Sequence, residues 1–179
     1  TLLTRGRPDG ITDNWITDSK LVPRVVSTSS KSSNESVIHY RADGDSPWVE
    51  IARFDSTKAP AFVPLAFESD DQTLQVATNA GRNTMAIYRF DPRSKLLGKL
   101  LAEHRTYDMG ADGRGATVAG VRVDGDTDRL LGYEVNADRP IISWVDEGYA
   151  KTQAMLDAAL PGTTNRFRRL PGGARLLVT

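Results

Sequence analysis

The pentapeptide Gly44-Asp45-Ser46-Pro47-Trp48 opens like the G-x-S-x-G turn that presents a serine nucleophile. Trp48 stands where the second glycine lets strand turn tightly into helix, so a polar turn is the better reading. A serine nucleophile also needs a base, and the chain holds two histidines, His39 and His104. His39 falls inside a predicted strand and His104 at the end of one, which favours structural or solvated roles over a triad base. Asp124, Asp126 and Asp128 begin like a calcium loop of the EF-hand type. Arg129 replaces the required glycine and Val135 the bidentate glutamate, so the pattern is incomplete. Gly110, Gly113 and Gly115 have neither the order nor the strand-to-helix context of a dinucleotide fingerprint. Glu68, Asp70 and Asp71 are the carboxylates a glycosidase could use, but they lie in a predicted hairpin turn where solvated charge is ordinary. Asn34-Glu35-Ser36 is a glycosylation sequon that matters only in a eukaryotic secretory route. No catalytic residue, metal site or cofactor follows from these patterns.

The elements that would carry any site are strands. Phe62 to Phe67, Thr73 to Ala77, Met85 to Phe90 and Leu96 to Leu101 are short β-rich runs separated by Asp70-Asp71-Gln72, Asn79-Ala80-Gly81-Arg82-Asn83 and Asp91-Pro92-Arg93-Ser94. Four short strands joined by polar turns form one meander, the unit of a propeller blade. A first blade is expected over about 15–55, from Trp15–Thr17, Leu21–Ser27, Ser36–Arg41 and Trp48–Phe54, after a loop or loosely tied terminus at 1–13. Tyr40-Arg41-Ala42-Asp43-Gly44 and Tyr88-Arg89-Phe90-Asp91-Pro92 align at an offset of about 48 residues, as propeller repeats do. Further hairpins follow Asp124-Gly125-Asp126-Thr127-Asp128 and Leu170-Pro171-Gly172-Gly173, suggesting a third blade at about 116–145 and the start of another at 165–179. One helix interrupts them: Val145, Tyr149, Thr152, Leu156 and Leu160 recur at helical spacing, Asp146 is an N-cap and Pro161-Gly162 a stop. The fold class is therefore all-β, a partial propeller of four-stranded antiparallel blades spanning about 14–179, with one inserted helix at about 146–160. Arg82 and Asn83 lie in a rim loop of the most complete blade and are the candidate binding residues, with a simple turn around Gly81 as the alternative.

At 179 residues the chain can bury a substantial core. Lys plus Arg and Asp plus Glu each count 23, so there is no basic field to attract nucleic acid or an anionic membrane. The absence of cysteine removes disulfides and thiolate metal sites. No apolar run approaches the roughly 20 residues of a membrane span, and Thr1–Gly10 lacks the core of a signal peptide. A leader or preceding domain could have been removed before Thr1. Nothing separates a cytoplasmic from a periplasmic location.

Phe62-Val63-Pro64-Leu65, Gly81-Arg82-Asn83-Thr84 with Tyr88-Arg89-Phe90-Asp91-Pro92, Asp138-Arg139-Pro140 with Trp144-Val145-Asp146, and Leu156-Asp157-Ala158-Ala159-Leu160-Pro161-Gly162 with Asn165-Arg166 carry a resemblance. From about Trp15 onward the chain resembles the amino-terminal propeller of bacterial prolyl oligopeptidase-family (S9) serine peptidases, in the acylaminoacyl- and dipeptidyl-peptidase-like branch. The resemblance implies a non-catalytic propeller that covers the active site of an α/β-hydrolase domain and restricts entry to short or flexible peptides. That domain and peptide substrates would be its partners. The chain reaches Thr179 in the second strand of a fourth blade, about half of the seven or eight blades the family uses. It is expected to be inert alone and to self-associate through open blade edges. The alternative is a stand-alone propeller-type module that binds a protein or sugar partner.

Overall fold

The computed structural model describes residues 6–58, 60–110, 121–124, 129–137, 140–170 and 175–179. Asp126, Asp128, Gly113, Gly115, Asp138, Arg139 and the Pro171-Gly172-Gly173 turn lie outside the described residues. The chain is mostly β, built on antiparallel sheets. Sheet 1 is a meander of β1 (Ile11–Thr17), β2 (Pro23–Ser29), β3 (Glu35–Tyr40) and β4 (Val49–Asp55). Sheet 2 repeats that order with β5 (Phe62–Phe67), β6 (Leu74–Thr78), β7 (Ala86–Asp91) and β8 (Leu96–Ala102). Sheet 3 holds β9 (Val121–Val123), β10 (Leu130–Asn136) and β11 (Pro140–Trp144), with β10 in the middle. Helix α1 (Glu147–Ala159) follows, and then the hairpin of β12 (Phe167–Arg169) and β13 (Leu176–Val178).

Aspartates close the turns, and one chemical device recurs. A carboxylate accepts the backbone N–H two residues on and a hydroxyl two or three residues on, fixing the turn locally. Asp43 does this with Asp45 and Ser46, Asp55 with Thr57, Asp70 with Gln72 and Thr73, and Asp91 with Arg93 and Ser94. The first hairpin of each four-stranded sheet also turns alike. Leu21 N–H donates to the Asp18 carbonyl with Leu21 at φ 61°, and Asp71 N–H donates to the Glu68 carbonyl with Asp71 at φ 54°. These two turns meet: the Ser19 backbone N–H and hydroxyl both donate to the Asp71 carboxylate.

Sheet 2 is packed on both faces. Leu74, Val76 and Phe90 join Ile16, Val25, Ile38, Tyr40 and Ile51 of sheet 1 in one buried cluster. On the other face, Val63, Leu65, Ala77 and Ile87 join Tyr133 and Val135 of sheet 3 in a second. Strand β6 is consequently buried along its whole length, and its one amide side chain needs a partner. The Tyr133 hydroxyl supplies it, donating to Gln75 Oε1 at 3.0 Å.

The sheet 1–sheet 2 seam also contains a buried ion pair. Two residues of β2 oppose one step of β1, because Ile16 pairs with Val25 and Thr17 with Pro23, leaving Arg24 as the bulged residue. Its guanidinium donates to Asp18 at 3.0 Å and to the Tyr40 hydroxyl at 3.2 Å, and lies 5.4 Å from the Phe67 ring centre. Both charged side chains are only 7% exposed.

Three local expectations change. Strand β1 begins at Ile11, inside the stretch expected to be a loop, since Ile11 pairs with Ser29 and Arg7 ties the approach through the Gly10 carbonyl and Thr12 hydroxyl. Tyr40 and Tyr88 both stand on the third strand of their sheets, opposite Val25 and Val76. They are not equivalent, because both pack on the sheet 1–sheet 2 cluster from opposite sides; side chains alternate along a strand, and single-residue bulges shift which face a repeated residue occupies. Val145 and Leu160 are 51% and 46% exposed, as they flank the helix rather than lie on its apolar stripe. Within α1 the buried residues are Tyr149 and Thr152, and the Asp146 carboxylate accepts the Tyr149 N–H at 2.9 Å as the N-cap.

Candidate functional site

Arg82 and Asn83 lie in the turn between β6 and β7, where Gly81 adopts φ +73°. The Arg82 guanidinium donates to Glu103 at 2.6 Å and to the Tyr88 hydroxyl at 3.2 Å. Thr84 donates to the His104 carbonyl, and the Met85 N–H donates to Asp108. This rim of sheet 2 is thereby tied to the segment after β8, with Asn83 exposed and Arg82 already engaged by a carboxylate.

Most of the described residues that suggested chemistry are engaged in contacts within their own turns and strands. The Ser46 hydroxyl donates to Asp43 at 2.8 Å within its own turn. His104 Nδ1 accepts the N–H groups of Thr106 and Tyr107, and its ring lies 5.1 Å from that of Tyr107. His39 is half-buried in β3, with Nδ1 enclosed and unpartnered. Burial pulls its pKa below the ordinary value, Glu50 opposing and Arg53 assisting. Glu68 pairs with Arg89 at 2.7 Å, Asp70 closes its turn and Asp71 clasps Ser19. A glycosidase pair needs two carboxyl groups free to face one bond, and these are engaged separately. Among the described residues no group of three or more His, Asp or Glu side chains is placed to hold a metal ion.

A different place in the fold gathers unspent chemistry. Sheet 3, α1 and the β12–β13 hairpin enclose a cleft of about 480 Å³. Trp144 at the end of β11, Tyr149 of α1 and Phe167 of β12 form an aromatic trio, with ring centres 5.2–5.5 Å apart. Their positions follow from two local devices. Asp146 starts the helix directly after the strand and also pairs with Arg129 at 2.8 Å. After the helix, Asn165 donates to Asp157 and to the Leu160 carbonyl, so the chain returns to the cleft at Phe167. Arg122, Arg166, Arg168 and Arg169 also line it. Arg122 and Arg166 share Glu134, at 2.7 and 3.2 Å, and the Arg169 guanidinium lies 5.0 Å from the Tyr149 ring centre. Trp144 Nε1 is buried without an acceptor.

Reading the sequence for chemistry missed this cleft. The available signal was the run Asn165-Arg166-Phe167-Arg168-Arg169 following a helix that itself follows a tryptophan. Compared with protein-family models, curated proteins and solved structures, the chain has no match at the level required in any of the three.

Proposed function

We propose that the chain is part of the β-propeller of a serine peptidase of the prolyl oligopeptidase family, a non-catalytic wall that covers the active site and limits peptide entry. The observation that supports it most is sheet 2, a four-stranded meander buried on both faces by the sheets before and after it in sequence. Radial stacking of successive meanders makes a propeller, and the meeting of the like turns at Ser19 and Asp71 fits that stacking. The peptidase assignment rests on the resemblance carried by the Phe62–Leu65, Gly81–Pro92, Asp138–Asp146 and Leu156–Arg166 stretches. In this reading the hydrolase domain and peptide substrates are the partners, and Asn83 with Arg82 lies on a rim that can face one of them.

The complete gene product should cleave short aminoacyl or peptidyl chromogenic substrates and lose activity as substrate length grows. Equal rates on short peptides and folded proteins would overturn the gating role. The 179-residue chain by itself should neither hydrolyse those substrates nor label with a fluorophosphonate, since the Ser46 hydroxyl is held by Asp43 and Trp48 replaces the second glycine of a nucleophile elbow. Stoichiometric labelling of any serine would contradict this.

The same chain should self-associate at micromolar concentration. Leu176, Leu177 and Val178 are 39%, 41% and 37% exposed, and among the described strands β13 pairs with β12 alone. An unpaired edge with apolar side chains is a template for another strand. Light scattering coupled to size exclusion tests this; a clean monomer across that range would contradict it.

A further inference from the structure

The geometry points to a binding site for an oxyanion, a carboxylate or phosphate carried on an aromatic body, in the cleft between sheet 3, α1 and the β12–β13 hairpin. Three independent observations meet there. The first is charge: four guanidinium groups line the cleft, and Asp124 is the one acidic side chain among its lining residues. Glu134 engages Arg122 and Arg166, whereas Arg168 and Arg169 have no ion-pair partner among the described residues. Guanidinium forks match the two oxygens of a carboxylate or phosphate.

The second is the aromatic trio of Trp144, Tyr149 and Phe167. Half-buried Trp144 and Phe167 give a ligand ring a surface for offset or tilted stacking. Arg169 lies over Tyr149, so a charged oxygen near its guanidinium can remain attached to a ring packed on the same trio. The third is a missing acceptor. A buried indole N–H ordinarily finds a partner, yet Trp144 Nε1 has none. Trp144 lines the cleft, so an acceptor oxygen brought by a ligand would complete it if the side chains enclosing the nitrogen shift on binding. Cavities of about 300–1,000 Å³ are the usual size of small-molecule sites; this one has the volume, and its lining divides almost evenly between charged or polar and apolar side chains.

Isothermal titration calorimetry of the intact chain with 3-phenylpropionate, phenyl phosphate, inorganic phosphate and neutral 3-phenylpropionamide tests the site. The two aromatic anions should bind at least roughly tenfold more tightly than the amide, as expected for charge-assisted hydrogen bonds. The preferred anion identifies the oxygen source. Inorganic phosphate should bind more weakly than phenyl phosphate. Arg169→Met, which keeps an apolar stem over Tyr149, should weaken the anions about tenfold and leave the amide unchanged. Trp144→Phe should abolish any ligand-dependent shift in tryptophan emission, while Trp15 and Trp48, which do not line the cleft, continue to emit unchanged. Equal affinities for anion and amide on the unmodified chain, no measurable binding of either aromatic anion, or an Arg169→Met chain that retains full anion affinity would overturn the proposal.

Discussion

Replacing Arg24 with alanine is expected to destabilise the chain by about 3–5 kcal/mol, the range found when one member of a buried ion pair is removed. For a chain of this size that corresponds to a fall in Tm of roughly 10 °C. The substitution strands the Asp18 carboxylate in the seam between sheets 1 and 2 and removes the cation that lies over Tyr40 and Phe67. Asp18→Asn combined with Arg24→Met should cost less than Arg24→Ala alone. The pair removes both charges, while the amide oxygen of Asn still accepts the N–H groups of Lys20 and Val22 that Asp18 now caps. Acid gives the same answer by another route. Burial pushes the Asp18 carboxyl up, but the Val22 and Lys20 N–H groups with Arg24 outweigh it and hold its pKa below the usual carboxylate range. A pKa depressed by folding contributes stability above the unfolded value of about 3.9 and loses it as pH falls through the folded value. The difference between the original chain and Arg24→Ala should therefore shrink below about pH 4. Chemical denaturation as a function of pH measures both effects; a cost under about 1 kcal/mol at pH 7 would show that the pair is dispensable.

Gly132→Ala is expected to cost about 3 kcal/mol or more, at the upper end for forcing extra atoms into a packed site. Gly132 pairs with Arg122 on one side and Trp144 on the other. An added Cβ would lie 2.6 Å from the Ser143 carbonyl oxygen and 3.0 Å from Trp144 Cα, so backbone must move. The displaced strand carries Trp144, and the neighbouring Val145 and Asp146 N–H groups donate to the Leu131 carbonyl. A change in near-ultraviolet circular dichroism should accompany the loss of stability. Gly98→Ala is the matched control, because its Cβ would meet only ordinary contacts, the nearest at 3.5 Å, and should be neutral or slightly stabilising. Equal behaviour of the two variants would mean that β10 and β11 do not approach as closely as described.

What was legible in the sequence was local. The apolar run Phe62–Phe67 reads as a strand, and β5 has those bounds; Asp146 reads as a cap from its place before the helical spacing, and its carboxylate accepts the Tyr149 N–H. Aspartate turns were legible for the same reason, since each carboxylate reaches its own backbone. The start of β1 was hidden because its strand character comes from pairing with β2 rather than from its own polar residues. The Asp18–Arg24 pair depends on a bulge that presents Arg24 to Tyr40, and no local pattern announces a bulge. Tyr40 and Tyr88 matched as letters but not as faces, for a related reason. The cleft was least legible, because Trp144, Tyr149 and Phe167 come from three elements and meet only when α1 folds back.

The central claim, that these meanders are blades of a serine-peptidase propeller, is tested most directly by expressing the complete open reading frame, labelling it with a fluorophosphonate and mapping the labelled residue. The account predicts a single labelled serine in a G-x-S-x-G sequence beyond Thr179, followed along the chain by the aspartate and histidine of its triad. A complete product with no such serine, or one that labels within residues 1–179, would contradict it.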